Sequence, residues 1–260
     1  MLPYIRTVFG AIEVGCPATV ALMETRHRWS LVVPVVGLIV AVVLLPLAAS
    51  EGVPVGMRDA VPYLVTWVPL LVAVVVSVLL ARRRRPDRWW VALRLPVGAT
   101  GVVLALFVGL AARTVGVLVE AAATGRIVGG SLFSGVGPSP AAGVALVLVS
   151  SVLVAPVLEE VFFRGTLLPA VEERMGSGRA AEWAAIIVVA AIFAGVHALA
   201  GAGAIAAVVT FVAGVGFGAL ARSQGVGSSV VAHSVFNASG VALTLSSTGL
   251  SPLSPTLGLG

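Results

Sequence analysis

The sequence predicts an all-α fold, a polytopic transmembrane helical bundle of about seven spans, with a range of six to eight. Of the 260 residues, 59% are hydrophobic and only 10% are charged, whereas a soluble domain usually carries about 25% charged residues. Several apolar runs reach the ~20 residues that a helix needs to cross a ~30 Å hydrocarbon core. The runs are continuous rather than alternating, which favours helices over the strands of a barrel.

The spans are drawn between breaks that are rich in Gly, Pro, Ser or charge. They are residues 31–49, 61–81, 92–112, 140–163, 182–200, 203–221 and 227–248. The clearest break, 125–140, predicts a flexible loop. We therefore expect two regions: an N-terminal membrane region, 1–130, with an interfacial segment and three transmembrane helices, and a helical core, 131–260, with about four.

The basic charge is explained by membrane topology. All 16 basic residues are arginine, and most fall on one side of the membrane if the N-terminus is cytoplasmic: Arg26, Arg28, the run 82–88, Arg94, Arg174, Arg179 and Arg222. The positive-inside rule then predicts a multi-pass protein of the cell membrane with a cytoplasmic N-terminus. Membrane lipid is the expected partner, and no nucleic acid partner is expected. Arg113 is placed just beyond the third span, on the opposite side.

Few polar residues remain inside the spans. Ionisable groups there cost at least a few kcal/mol each, so they are functional candidates by default. The candidates are Glu159, Glu160, Arg164, His197 and His233, together with the amide of Asn237.

The two adjacent carboxylates are expected to do different things. Successive helix positions differ by about 100°, so Glu159 and Glu160 cannot share one direction. Glu160 and Arg164 are i,i+4 neighbours and can form an ion pair on one face. Glu159 then stays free for chemistry. A purely structural role is the alternative for the Glu160–Arg164 pair.

The histidines and the amide supply a second set of groups. His233 and Asn237 are i,i+4 neighbours on the seventh span, and His197 ends the apolar part of the fifth. Converging with Glu159, they could bind a divalent metal, for which zinc suits neutral imidazole and carboxylate. Without a metal, Glu159 with a histidine could act as general base, and His or Asn could stabilise an oxyanion.

Three short motifs carry these residues: EEVFFR (159–164), FAGVH (193–197) and HSVFN (233–237). In this order they resemble the CAAX prenyl protease and bacteriocin-processing family of intramembrane metalloproteases, over roughly residues 140–245. The resemblance implies a helical fold with its site inside the membrane, and a catalytic core in 131–260. It implies that Glu159 activates water, that His197 assists it or binds metal, and that His233 and Asn237 bind metal or stabilise the oxyanion. Glu160 and Arg164 would support them.

The expected function is that of an intramembrane endopeptidase, which hydrolyses a peptide bond in a membrane-associated, hydrophobic or lipidated peptide or protein. The expected zinc ligands are Glu159, His197 and His233. Two other classes stay open: a non-catalytic scaffold or bacteriocin self-immunity factor with the same fold, and a proton-coupled transporter that uses Glu159 and the histidines as a relay.

One expectation about depth conflicts with convergence. At 1.5 Å per residue, His197 lies ~23 Å along a fifth span that starts at residue 182, whereas Glu159 lies ~13 Å from Leu168 if the fourth span runs that far. The two side chains would then sit at different depths in the membrane.

Overall fold

A computed structural model describes residues 30–48, 61–84, 93–125 and 148–247, and these residues form helices and no strand. The helices are α1 (Val32–Ala48), α2 (Val61–Arg84), α3 (Ala99–Thr124), α4 (Ala155–Phe162), α5 (Leu168–Met175), α6 (Arg179–His197), α7 (Gly203–Gln224) and α8 (Val226–Ser247). Wider π-helical turns span Val149–Val154, Phe163–Leu167 and Ala198–Ala202. The predicted all-α class is confirmed.

Four stretches in the described part are long and apolar enough to cross a membrane: Tyr63–Arg83, Ala99–Thr124, Arg179–Gln224 and Val226–Thr244. Helix α1 is apolar but shorter. The chain is a helical membrane protein, and the predicted number of about seven spans is not confirmed. The expected interfacial segment, within 1–29, and the expected loop from residue 126 to 140 lie outside the described residues.

The third predicted span is displaced along the chain. It was expected at 92–112, but α3 begins at Ala99, after Gly98 in an extended conformation, and continues to Thr124. Pro96 precedes this start, and a proline restricts the residue before it to extended conformations. Arg113 was expected to follow the span. Instead it lies inside α3 and is 5% exposed.

The fourth predicted span is longer than expected, and this resolves the conflict over depth. Helical structure was expected to end at residue 163, but it runs through the second π turn into α5 and ends at Met175. Glu159 therefore lies roughly 24 Å from that end, and His197 lies roughly 27 Å from the start of α6 at Arg179. The two residues reach similar depths from the same side.

Close helix contacts hold the bundle together. Between α6 and α7 the chain reverses at Gly201 and Gly203, whose φ angles of 94° and 78° favour glycine. A Cβ atom at Gly218 would lie 2.9 Å from Ile186, so this glycine lets α7 approach α6. Outward faces are apolar, and Phe107 on α3 is 70% exposed. Such surface fits contact with lipid.

Candidate active site

Helix α4 carries both carboxylates, and a π turn flanks it on each side. Single π turns inside longer helices occur frequently at functional sites. The side chain of Glu160 is fully buried, whereas that of Glu159 is 14% exposed. As predicted from the 100° step, the two carboxylates lie in different surroundings.

Glu160 is the centre of a closed polar network. Its Oε1 accepts hydrogen bonds from Arg164 Nη1 at 2.8 Å and from His233 Nδ1 at 2.9 Å. Its Oε2 accepts one from the Ser229 hydroxyl. The predicted ion pair with Arg164 therefore forms. The bonds from His233 and Ser229 to Glu160 also connect α4 to α8. Neither Ser229 nor the contact to His233 was expected from the sequence.

Arg164 extends this network to α7. Its Nη2 donates to the carbonyl oxygen of Gly214 at 3.0 Å, and its guanidinium carbon lies 4.6 Å from the centre of the Phe193 ring. A Cβ atom at Gly214 would lie 3.3 Å from Arg164 Nη2. The absence of a side chain at this position therefore gives the arginine access to the α7 backbone.

His233 connects the network to the open carboxylate. Because its Nδ1–H donates to Glu160, its Nε2 carries the lone pair of the neutral ring. That Nε2 lies 3.9 Å from Glu159 Oε2, which is longer than a direct hydrogen bond. Phe217 stacks on the imidazole at 5.0 Å between ring centres. The ring is thus fixed in orientation and in tautomer.

His197 is held in a similar way. Its Nδ1–H donates to the carbonyl oxygen of Phe193, one turn earlier, at 2.9 Å. The ring of Phe193 meets it edge-on at 4.5 Å between centres. Its Nε2 is therefore also a proton acceptor in the neutral ring.

The side-chain amide of Asn237 already makes one hydrogen bond within the protein. Its Nδ2 donates to the carbonyl oxygen of Ser151, in the first π turn, at 2.7 Å. This contact joins α8 to the start of the helix that carries the carboxylates. An amide nitrogen has two hydrogens, so one donor remains.

The four predicted catalytic side chains meet at one cavity of about 260 Å³, which Glu159, His197, His233 and Asn237 all line. Glu160 and Arg164 lie behind its wall. Most of the remaining lining is apolar or aromatic, and one side is formed by α2 through Tyr63, Thr66, Trp67 and Leu70. No motif within the first 130 residues predicted this contribution.

Arg113 is a second buried arginine next to the site, and it was missed because the third span was ended too early. Its Nε and Nη2 donate to the carbonyl oxygen of Phe236 at 3.2 and 2.8 Å, and its guanidinium carbon lies 3.9 Å from the ring centre of Phe236. Phe236 lines the cavity and directly precedes Asn237. The sequence did contain a signal for this position. The apolar run continues past Arg113 to Glu120, so the arginine lies within the run.

The cavity residues match zinc in chemistry but not in spacing. Each histidine has Nδ1 engaged in a hydrogen bond, so that in the neutral ring Nε2 is left for a ligand, as in a metal-bound histidine. In the described part of the chain, however, no three His, Cys, Asp or Glu side chains lie close enough together to hold a metal ion. The arrangement as it stands provides a carboxylate and two proton-accepting imidazoles around an apolar cavity.

Residues 141–239 match the family model of Rce1-like type II CAAX prenyl endopeptidases. The matched segment contains all six motif residues and every helix from α4 to α7, whereas the α2 wall of the cavity lies outside it. No curated protein and no solved structure gives a significant match to the chain. The resemblance carried by the three motifs is confirmed: residues 141–239 are similar to the CAAX protease family.

Proposed function

We propose that this protein is an intramembrane endopeptidase that hydrolyses a peptide bond in a hydrophobic or lipidated peptide or protein. The observation that carries the proposal is the pair formed by Glu159 and His233 Nε2, 3.9 Å apart in one cavity. That gap suits a water that contacts both groups. The match of residues 141–239 to the CAAX prenyl endopeptidase model supports the same reaction.

In the proposed reaction, the carboxylate of Glu159 removes a proton from this water while the oxygen attacks the peptide carbonyl carbon. The carbon–nitrogen bond then breaks, and the proton passes from Glu159 to the leaving nitrogen. The neutral imidazole of His233 orients the water by accepting its second hydrogen at Nε2, and His197 presents a second Nε2 acceptor in the same cavity. The remaining N–H of Asn237 is a donor for the developing oxyanion.

The Glu160–Arg164 network supports this reaction from behind the wall. It holds the Nδ1 side of His233 and so directs Nε2 toward Glu159. Because no three metal-ligating side chains lie close enough together in the described part of the chain, no step of the proposed reaction passes through a metal.

The decisive experiment compares purified wild type with Glu159→Gln, using two quenched fluorescent peptides: one with a prenylated CAAX C-terminus and one hydrophobic peptide without a lipid. Removal of a general base is expected to lower turnover by about 10²–10⁴-fold. Glu182→Gln is the matched control, since Glu182 is 45% exposed and pairs with Arg222 outside the cavity.

Equal turnover of wild type and Glu159→Gln would reject this mechanism. A scaffold or self-immunity factor would keep its cellular function in Glu159→Gln at unchanged abundance. A proton-coupled transporter would show pH-dependent solute uptake in vesicles without cleaving either peptide. The cytoplasmic N-terminus and the cell membrane location are parts of the proposal that fusions to a cytoplasmic and an extracellular reporter would test.

A further inference from the structure

Thr210 on α7 is a buried hydroxyl that lines the cavity. It is 4% exposed, and its Oγ1 has no hydrogen-bond partner among the described residues. Among the described residues, Thr210 is the one that both lines the cavity and has a buried side-chain atom without a hydrogen-bond partner. A buried polar atom without a partner is uncommon and calls for a physical reason.

Other helix threonines in this chain behave differently. The hydroxyls of Thr114, Thr124, Thr166 and Thr244 each donate to the carbonyl oxygen four residues earlier, at 2.9, 2.8, 2.6 and 3.0 Å. This is the local bond that a helical threonine can always form. Thr210 lies in the middle of α7 and leaves it unformed. Its hydroxyl is therefore not committed to the helix backbone, and its side chain is part of the cavity lining.

Glu159 and the two imidazoles give the cavity several hydrogen-bond acceptors. Both imidazoles have spent their Nδ1–H groups on protein oxygens, and Asn237 has spent one of its two hydrogens. Side chains with further donors line the cavity: Tyr63, Thr66, Trp67, Ser151 and Thr210. Of these, Thr210 shares a face of α7 with Phe217, which stacks on His233.

We propose that Thr210 is a substrate-binding residue whose hydroxyl donates a hydrogen bond to a backbone carbonyl oxygen of the peptide held in the cavity. A peptide brings carbonyl acceptors into a space lined by Glu159 and by two imidazoles that also accept. The buried Thr210 hydroxyl supplies a donor for one of these carbonyl oxygens. This inference rests on the proposed endopeptidase function and adds a residue that none of the three motifs contains.

The test uses Thr210→Val, which replaces the hydroxyl by a methyl group of similar size, and Thr210→Ser, which keeps the hydroxyl. Both are assayed on the full-length protein with the prenylated and the unprenylated peptide. Loss of a donor to a reacting or bound carbonyl is expected to lower kcat/KM by about 10–10³-fold in Thr210→Val. Thr210→Ser should stay within about threefold of wild type, since its hydroxyl remains.

Thr244→Val is the matched control. Thr244 is also buried in a helix, but its hydroxyl donates to the carbonyl of Gly240 and it does not line the cavity. It should keep kcat/KM and lower the melting temperature. Thr210→Val should show the reverse: lost turnover with an unchanged or raised melting temperature, because its hydroxyl has no protein partner to lose.

Two results would overturn the inference alone. One is wild-type kcat/KM in Thr210→Val while Glu159→Gln is inactive. The other is a drop in the melting temperature of Thr210→Val equal to that of Thr244→Val, which would show that the hydroxyl is bonded within the protein. Failure of wild type to cleave either peptide would instead reject the endopeptidase function, and this inference with it.

Discussion

The two faces of α4 differ in burial and in hydrogen bonding, although their carboxylates are adjacent in the chain. On the Glu160 face, both oxygens accept protein hydrogen bonds, and the side chain is fully buried. On the Glu159 face, the carboxylate opens into a cavity and its nearest histidine nitrogen is 3.9 Å away. The difference teaches that the closed face joins helices through hydrogen bonds, whereas the open face borders a cavity, where the proposed function places a reactant.

Arg164→Ala should produce the largest loss of stability, because it leaves the Glu160 charge buried without its cation. Breaking a buried ion pair from one side costs about 3–5 kcal/mol, so we expect a markedly lower melting temperature in detergent together with lost cleavage.

Arg222→Ala is the control for this prediction. Arg222 also forms ion pairs, to Glu172 and Glu182 at 2.9 Å, but it is 38% exposed. Exposed pairs contribute about 0–1 kcal/mol. Equal melting temperatures for the two variants would show that the Glu160–Arg164 pair does not hold the closed face.

Replacing each histidine separately should show which one stabilises the closed face of α4 and which one serves only the open face. His233→Ala removes a hydrogen bond to the charged Glu160, worth about 1.5–3 kcal/mol, and should lower both the melting temperature and cleavage. His197→Ala removes a bond to a neutral carbonyl, worth about 0.5–1.5 kcal/mol, and should abolish cleavage with a smaller change in melting temperature. Thermal unfolding and peptide turnover, measured on the same preparations, check both. Wild-type turnover in either variant would remove that histidine from the mechanism.

Arg113→Met tests a contact that supports the cavity from outside the matched segment. The change keeps a long side chain but removes both hydrogen bonds to the Phe236 carbonyl, at a cost of about 1–3 kcal/mol. We expect a moderately lower melting temperature and a reduced kcat, because Asn237 follows Phe236 directly. If neither quantity changes relative to the Arg222→Ala control, Arg113 does not position this part of α8.

The smallest expected effect concerns zinc. Because the described donors do not form a three-ligand set, we expect well under one zinc per chain in wild type and in His197→Ala/His233→Ala, measured by mass spectrometry. About one zinc per chain in wild type, lost in the double variant, would instead place both imidazoles on one ion. The open face would then be a metal centre, and the proposed metal-free reaction would be wrong.

Local spacing predicted the local part of the site. The i,i+4 rule gave the Glu160–Arg164 pair, and the 100° step separated Glu159 from Glu160. Local spacing could not predict contacts between helices that are distant in the chain, such as Ser229 to Glu160 and Arg164 to Gly214. These depend on which helices are neighbours, and no periodicity within one helix carries that information.

Span boundaries explain the remaining errors. Apolar runs show that a helix exists but locate its ends less well. The third span was begun seven residues too early and ended twelve residues too early, so Arg113 was mistaken for a loop charge. The fourth was ended twelve residues before Met175, which created the apparent difference in depth between Glu159 and His197. The α2 wall of the cavity was missed for another reason, because Tyr63 and Trp67 resemble ordinary residues of an apolar span.

The position of Arg164 on the same helix as its partner carboxylate has a consequence for biogenesis. A lone arginine or glutamate is costly to transfer into lipid. Glu160 and Arg164 are one turn apart in a continuous helical segment, and their atoms meet at 2.8 Å. They can therefore neutralise each other as soon as that segment becomes helical, before α7 and α8 arrive. The segment can then enter the bilayer with this pair of charges already neutralised, and α7 and α8 add further hydrogen bonds to it later.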